Sequence, residues 1–174
     1  MLVLMQNPDA MKTLTIFRHA KSSWNFPELA DHDRPLNKRG ERDAPIMGNR
    51  LKVAGIRPSL IISSPAERTW TTAKIIAKQI AYPLDFLQRE TELYHAGVNK
   101  LLDIIAAQDD SFNSIMVVGH NPGLTDLANE FSPGLTSNIR TSGFVSLLIG
   151  TNDWDLRSRD SVELITYDHP KKIG

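Results

Sequence analysis

The chain has 174 residues, with 20 Lys plus Arg against 20 Asp plus Glu and a formal charge of zero. That length holds one ordinary domain with its own core, and the charge balance argues against bulk attraction to nucleic acid or an anionic membrane. Cysteine is absent, which removes disulfides, Cys-ligated zinc, iron–sulfur clusters and thiol nucleophiles.

No run approaches the roughly 18 apolar residues of a membrane helix. Met1-Leu2-Val3-Leu4-Met5 is too short for a signal segment and lacks a basic flank. A cytoplasmic protein is therefore expected. Residues 1–11 are set aside from the fold, with Met11 a candidate start, so the domain is expected over 12–174.

Thr13 to Arg18 is rich in β-branched and aromatic residues and reads as a buried strand. Lys21 to Pro35 is polar, with two prolines, and reads as a loop. Asn37 is placed to cap a helix that runs to about Ala54 and ends at Gly55. Leu60 to Ser63 is a second buried strand. Ser64 followed by Pro65 reads as a cap and first helical position. The helix that follows carries Trp70, Ala73, Ile76, Ala77 and Ile80 at helical spacing. Pro83 to Leu87 is expected as a short strand and Val98 to Ala107 as a helix. Ser114 to Val118 is a third strong strand, and a helix after Pro122 runs to about Phe131. Phe144–Ile149 and Val162–Tyr167 read as later strands, joined by a turn at Asn152-Asp153. This alternation predicts an α/β sheet with helices on both faces and an antiparallel edge. No repeat, linker or low-complexity stretch divides the chain, so one domain is expected.

In open α/β sheets, ligands bind where strands end and helices begin. The first strand ends in Arg18-His19. The second ends in Ser63-Ser64-Pro65, with Arg68 one turn into the helix. The third ends in Gly119-His120. Two arginines and two histidines thus meet on one rim. Arginine forks match phosphate oxygens in pairs and stabilise a phosphoryl transition state. A histidine kept neutral by nearby cations retains a free lone pair and is a candidate nucleophile. A second histidine can donate a hydrogen bond to the phosphoryl oxygens. With no cysteine and few acids at these positions, the pattern fits phosphoryl transfer through a phosphohistidine, with no metal and no cofactor.

Thr15-Ile16-Phe17-Arg18-His19-Ala20 resembles the Arg-His-Gly signature of the histidine phosphatase superfamily. Ser63-Ser64-Pro65-Ala66-Glu67-Arg68 resembles its second motif, and Val117-Val118-Gly119-His120-Asn121-Pro122 its third. The three stand in the expected order over about residues 12–150. The resemblance implies a three-layer α/β/α sandwich of the phosphoglycerate mutase-like type, with a mostly parallel central sheet. It implies His19 as the phosphorylated nucleophile, with Arg18, Arg68 and His120 completing the phosphate pocket. The short segment between the second helix and third strand, with Asp33-Arg34-Pro35-Leu36 and Gly40, is similar to the compact SixA-like branch. That branch removes phosphate from phosphohistidine on signalling or phosphocarrier proteins. Ala20 replaces the common glycine, and Thr71 stands where many relatives carry glutamine.

Glu92 lies where sugar-phosphate members carry a proton-donating acid; the other reading is a solvated carboxylate. Ser22, Ser23 and Arg34 are candidates to bind substrate; a plain loop role is the alternative for the two serines, while Asp33 and Arg34 either pair with each other or line the mouth of the site. His32 and His95 read as exposed loop residues, His169 has no assigned role, and Trp70 fits helix-to-sheet packing. The expected partner is a phosphorylated protein or a small phosphate ester, with neither nucleic acid nor membrane. Two other functions compete. One is a small-molecule phosphatase or mutase of the same superfamily. The other is a module that senses phosphate without hydrolysing it.

Overall fold

The computed structural model describes residues 10–173. Six strands form one sheet: β1 (Met11–Arg18), β2 (Leu60–Ser63), β3 (Gln88–Arg89), β4 (Ser114–Gly119), β5 (Phe144–Gly150) and β6 (Ser161–Asp168). Their spatial order is β3-β2-β4-β1-β5-β6. The pairs β1/β4, β4/β2 and β2/β3 are parallel, while β5 and β6 add an antiparallel extension. Four helices accompany them: α1 (Lys38–Val53), α2 (Glu67–Gln79), α3 (Val98–Ala106) and α4 (Gly123–Phe131).

Side-chain alternation decides the layers, because successive residues of a strand face opposite sides. Leu14, Ile16, Leu60, Ile62, Ile115, Val117, Val145 and Leu147 point to one face, where α3 and α4 add Leu101, Ile105, Leu124 and Leu127. Phe17, Ile61, Met116, Val118 and Phe144 point to the other, against Met47 and Leu51 of α1 and Ala73, Ile76 and Ala77 of α2. Both faces of the parallel strands are covered, giving the expected three-layer α/β/α sandwich. Each fully buried aliphatic contributes about 1.5–3 kcal/mol, so the two clusters supply the main driving force. Lys12 is the polar exception on the first face. Its Nζ donates to the carbonyls of Asp110 (2.6 Å) and Phe112 (2.8 Å), and it lies over the buried Trp154 ring.

The ends of α1 follow the sequence signals. Asn37 Oδ1 accepts from the Gly40 amide at 2.9 Å. Gly55 takes φ +72°, and the amides of Gly55 and Ile56 return to the carbonyls of Lys52 and Leu51, which closes the last turn. Three expectations need correction. β1 opens at Met11, two residues before the expected Thr13; residues 1–9 of the segment set aside lie outside the described residues. Ser64 does not cap α2, which starts at Glu67 after Ala66; its hydroxyl is engaged by His120 instead. Pro83–Leu87 is not a strand. Leu84–Phe86 forms a 3₁₀ turn, and only Gln88 and Arg89 reach the sheet edge to pair with Ile62 and Ser63. Pro83 has no amide to give a ladder, and Leu84 and Phe86 face solvent.

Candidate active site

The chain leaves β1 through α1 on one face of the sheet and leaves β4 through α4 on the other. β1 and β4 are adjacent and parallel, so a crevice opens between their carboxyl ends. A pocket of about 330 Å³ lies there, lined among others by Arg18, His19, Arg68 and His120. The three motifs therefore come together at the strand ends.

His19 is 8% exposed. Its backbone is pinned: the amide donates to the Gly119 carbonyl (3.1 Å), and its carbonyl accepts from Ser142 (3.1 Å). Its ring Nδ1 lies 2.7 Å from the Ala20 carbonyl. A carbonyl only accepts, so Nδ1 carries the proton and Nε2 keeps its lone pair. Burial pushes the imidazolium pKa well below its ordinary value, and His120, Arg68 and Arg18 add to the depression. The neutral, Nδ1-protonated tautomer is the one suited to nucleophilic attack through Nε2.

The His120 ring sits 5.2 Å from that of His19. Its Nε2–H donates to Ser64 Oγ at 2.7 Å, with Thr69 Oγ1 at 3.3 Å, and Nδ1 faces Arg68 Nη2 at 3.5 Å. Burial first, then Arg68, His95 and Arg18, lower its pKa to about 3 against the opposing pull of Asp31.

Arg68 is buried and held from a loop. Its Nη1 donates to the Asp31 carbonyl (2.7 Å), and Nη2 donates to Asp31 Oδ2 (3.1 Å). Asp31 also accepts from Arg34 through Nε (3.1 Å) and Nη2 (3.0 Å), and from Tyr94 Oη (2.5 Å). The Tyr94 hydroxyl, then Arg34 and Arg68, hold the Asp31 carboxyl well below the usual carboxylate range. Arg18 donates through Nη1 to the Ile139 carbonyl at 2.7 Å, and α2 is tied to the end of β1 by Thr72 Oγ1, which accepts from the Ala20 amide and donates to the Arg68 carbonyl.

Ser22 and Arg34 line the pocket, and Arg34 Nη1 donates to Ser22 Oγ at 2.7 Å. Ser23 does not line it; its hydroxyl accepts from the Asn25 amide. Glu92 is outside as well. It lies on a 3₁₀ turn, exposed, and pairs with Lys100 at 3.1 Å. In this position the Glu92 carboxylate is solvated and paired with a surface lysine. His95 is exposed, yet it lines the pocket. Asp31 and Tyr94 escaped the sequence reading, which weighed Asp33 instead. The available signal was Asp31 three residues before Arg34, the spacing of a pair on one turn. Gly123 holds this wall close, since a Cβ there would collide with the Ala96 carbonyl just beyond Tyr94 and His95.

Residues 14–116 match the family model of the histidine phosphatase superfamily (branch 1), and the chain belongs to that superfamily. Its fold and structural neighbours put it in the SixA-like branch. The SixA protein of Agrobacterium tumefaciens superposes with a TM-score of 0.78 at 28% identity, over 91% of this chain and 98% of that one. A protein histidine phosphatase SixA complexed with tungstate gives 0.75 at 21% identity, over 91% and 97%, a likeness of fold. An uncharacterised chloroplastic protein of Arabidopsis thaliana is 32% identical over 158 residues, 83% of this chain and 69% of the relative. No helix among the described residues is long and apolar enough to cross a membrane.

Proposed function

We propose that the protein is a phosphatase that works through a phosphorylated His19 and removes phosphate from phosphohistidine on a signalling or carrier protein. The observation that carries this reading is the His19 imidazole, buried, neutral and fixed with Nε2 free, between Arg18, Arg68 and His120. Nε2 attacks phosphorus as the phosphorus–nitrogen bond to the substrate imidazole breaks. That imidazole leaves with the bonding pair and carries its own proton. Water then attacks phospho-His19, orthophosphate departs, Nε2 regains its lone pair, and the water proton passes to solvent. Arg18 and Arg68 offset the charge on the equatorial oxygens. The cations that depress His120 are countered once a phosphoryl dianion arrives, so His120 becomes a better donor to it.

The leaving group supports the choice of substrate. A sugar alkoxide needs a strong acid to protonate it. Glu92 pairs with Lys100 outside the crevice, and Asp31 is held ionised by Tyr94 and two arginines. An imidazole leaving group needs no such acid. The SixA protein of Agrobacterium tumefaciens, assigned as a phosphohistidine phosphatase, agrees with this reading.

The test is hydrolysis of a phosphohistidine carrier protein and of phosphoramidate, beside a phosphosugar panel, with chelator present. Wild type and His19→Ala are compared. Turnover of the phosphorus–nitrogen substrates that vanishes in the variant is expected. Retained turnover refutes the mechanism. Turnover of phosphosugars alone moves the assignment to a small-molecule phosphatase.

A further inference from the structure

Beside the phosphate pocket lies a second groove of about 430 Å³, joined to it through Arg18, Lys21 and Thr141. Arg39, Arg42, Arg140 and Lys171 add four further cations. Among the described residues Asp43 is the one acid on its wall, and it is already engaged by Arg42 (2.9 Å) and Arg39 (3.7 Å). A chain of zero net charge therefore gathers a strong positive field on one side of its proposed reaction centre, where it attracts and orients an anion.

The groove is not purely ionic. Ile46, 44% exposed, also lines it. The loop 21–35, which contributes to the phosphate pocket, presents Trp24 at 70%, Phe26 at 44% and Leu29 at 38% exposure. Trp24 lines the pocket and stacks on Arg34, its ring centroid 3.6 Å from the guanidinium carbon. Exposed apolar groups beside the pocket and a run of cations along the adjoining groove suit a folded or peptide partner better than a free phosphate ester, which fills only the central pocket.

We infer that this groove docks an acidic segment of the protein whose phosphorylated side chain enters the pocket. The inference rests on the proposed phosphatase reading and adds the chemistry by which the partner is chosen: carboxylates on the Arg39–Arg140–Lys171 side and an apolar contact on the Trp24 side.

Two phosphohistidine peptides of equal length test it, one flanked by glutamates and one by glutamines. Wild type should prefer the glutamate peptide in kcat/KM by about tenfold, as a few exposed charge pairs allow. The preference should shrink at high salt. Arg140→Glu with Lys171→Glu should bring the ratio of the two peptides to one or below, while Lys52→Glu, outside the groove, should keep it. Neither Arg140 nor Lys171 is the partner of Asp43, so the double variant leaves that buried acid paired. Equal kcat/KM for the two peptides in wild type overturns the docking inference while the phosphatase reading stands. If neither peptide turns over, binding of the unphosphorylated glutamate peptide is followed by fluorescence anisotropy. Binding lost in the double variant then supports the groove, and binding that is absent or unchanged overturns it. A single-stranded oligonucleotide that outcompetes the glutamate peptide also overturns it.

Discussion

Acidification from pH 7.5 to 5.0 should cost this protein stability through His19. In the unfolded chain its imidazole titrates near 6.5. In the folded chain burial, then His120, Arg68 and Arg18, push that value well down. The unfolded state therefore binds more protons once the pH drops below about 6.5, and stability falls with it until the folded value is reached. At pH 5.0 the gap is about 1.5 pH units, or roughly 2 kcal/mol for a histidine that stays neutral when folded. His120, lowered to about 3, also stays neutral across this window. Its ring is partly exposed, so screening reduces its share to about 1 kcal/mol. About 3 kcal/mol is a large part of a typical 5–15 kcal/mol. The depressed Asp31 carboxyl holds stability above the ordinary carboxylate value and loses it only below, outside this window. Urea unfolding in phosphate-free buffer at both pH values reads the effect. The loss should be about 2 kcal/mol smaller in His19→Gln than in wild type, because all other titrating groups are common to the two. An equal loss in both proteins would refute the claim that His19 is held neutral.

Asp31→Asn should lower kcat on phosphoramidate by about tenfold, the scale of one charge-assisted hydrogen bond. KM should not rise, since the variant removes a carboxylate that competes for Arg68; a raised KM at unchanged kcat would contradict this role. Glu92→Gln should leave turnover of phosphoramidate within about twofold, because its partner is Lys100 at the surface. A loss above about tenfold would return Glu92 to the proton-donor role.

The strands were legible because their burial is two-sided. Leu60-Ile61-Ile62 and Ile115-Met116-Val117-Val118 are continuous apolar runs, as strands covered on both faces must be. The convergence of Arg18, His19, Arg68 and His120 on one candidate site was legible because three short motifs each fall at a strand end, and the strand order brings those ends together. What stayed hidden depends on geometry that no local pattern encodes. Asp31 reaches Arg68 across 37 positions and Tyr94 across 63, so its role follows only from how the 21–35 loop folds over α2. Glu92 has the right chemistry two residues from Tyr94, but the 3₁₀ turn sends Tyr94 toward Asp31 and Glu92 toward Lys100. Ser64-Pro65 carries a correct local helix-start signal that tertiary demand overrides, since the Ser64 hydroxyl serves His120.

The charge balance shows the same limit from the other side. Equal counts of acids and bases suggest a surface with no preference, yet the cations are unevenly placed. Arg18, Arg34 and Arg68 line the proposed phosphate pocket, and Asp31 serves two of them. Arg39, Arg42, Arg140 and Lys171 extend the field along the adjoining groove, where Asp43 is the lone acid among the described residues. Two consequences follow from one arrangement. Burial, reinforced by the near cations, keeps His19 and His120 unprotonated, which leaves His19 Nε2 with a lone pair to give. The outer cations act over several ångströms of solvent, so they do little for the bond being broken and much for which anion arrives. On the proposed reading, chemistry and partner choice are thus separable: charge reversal at Arg140 and Lys171 alters selection, and loss of His19 alters reaction.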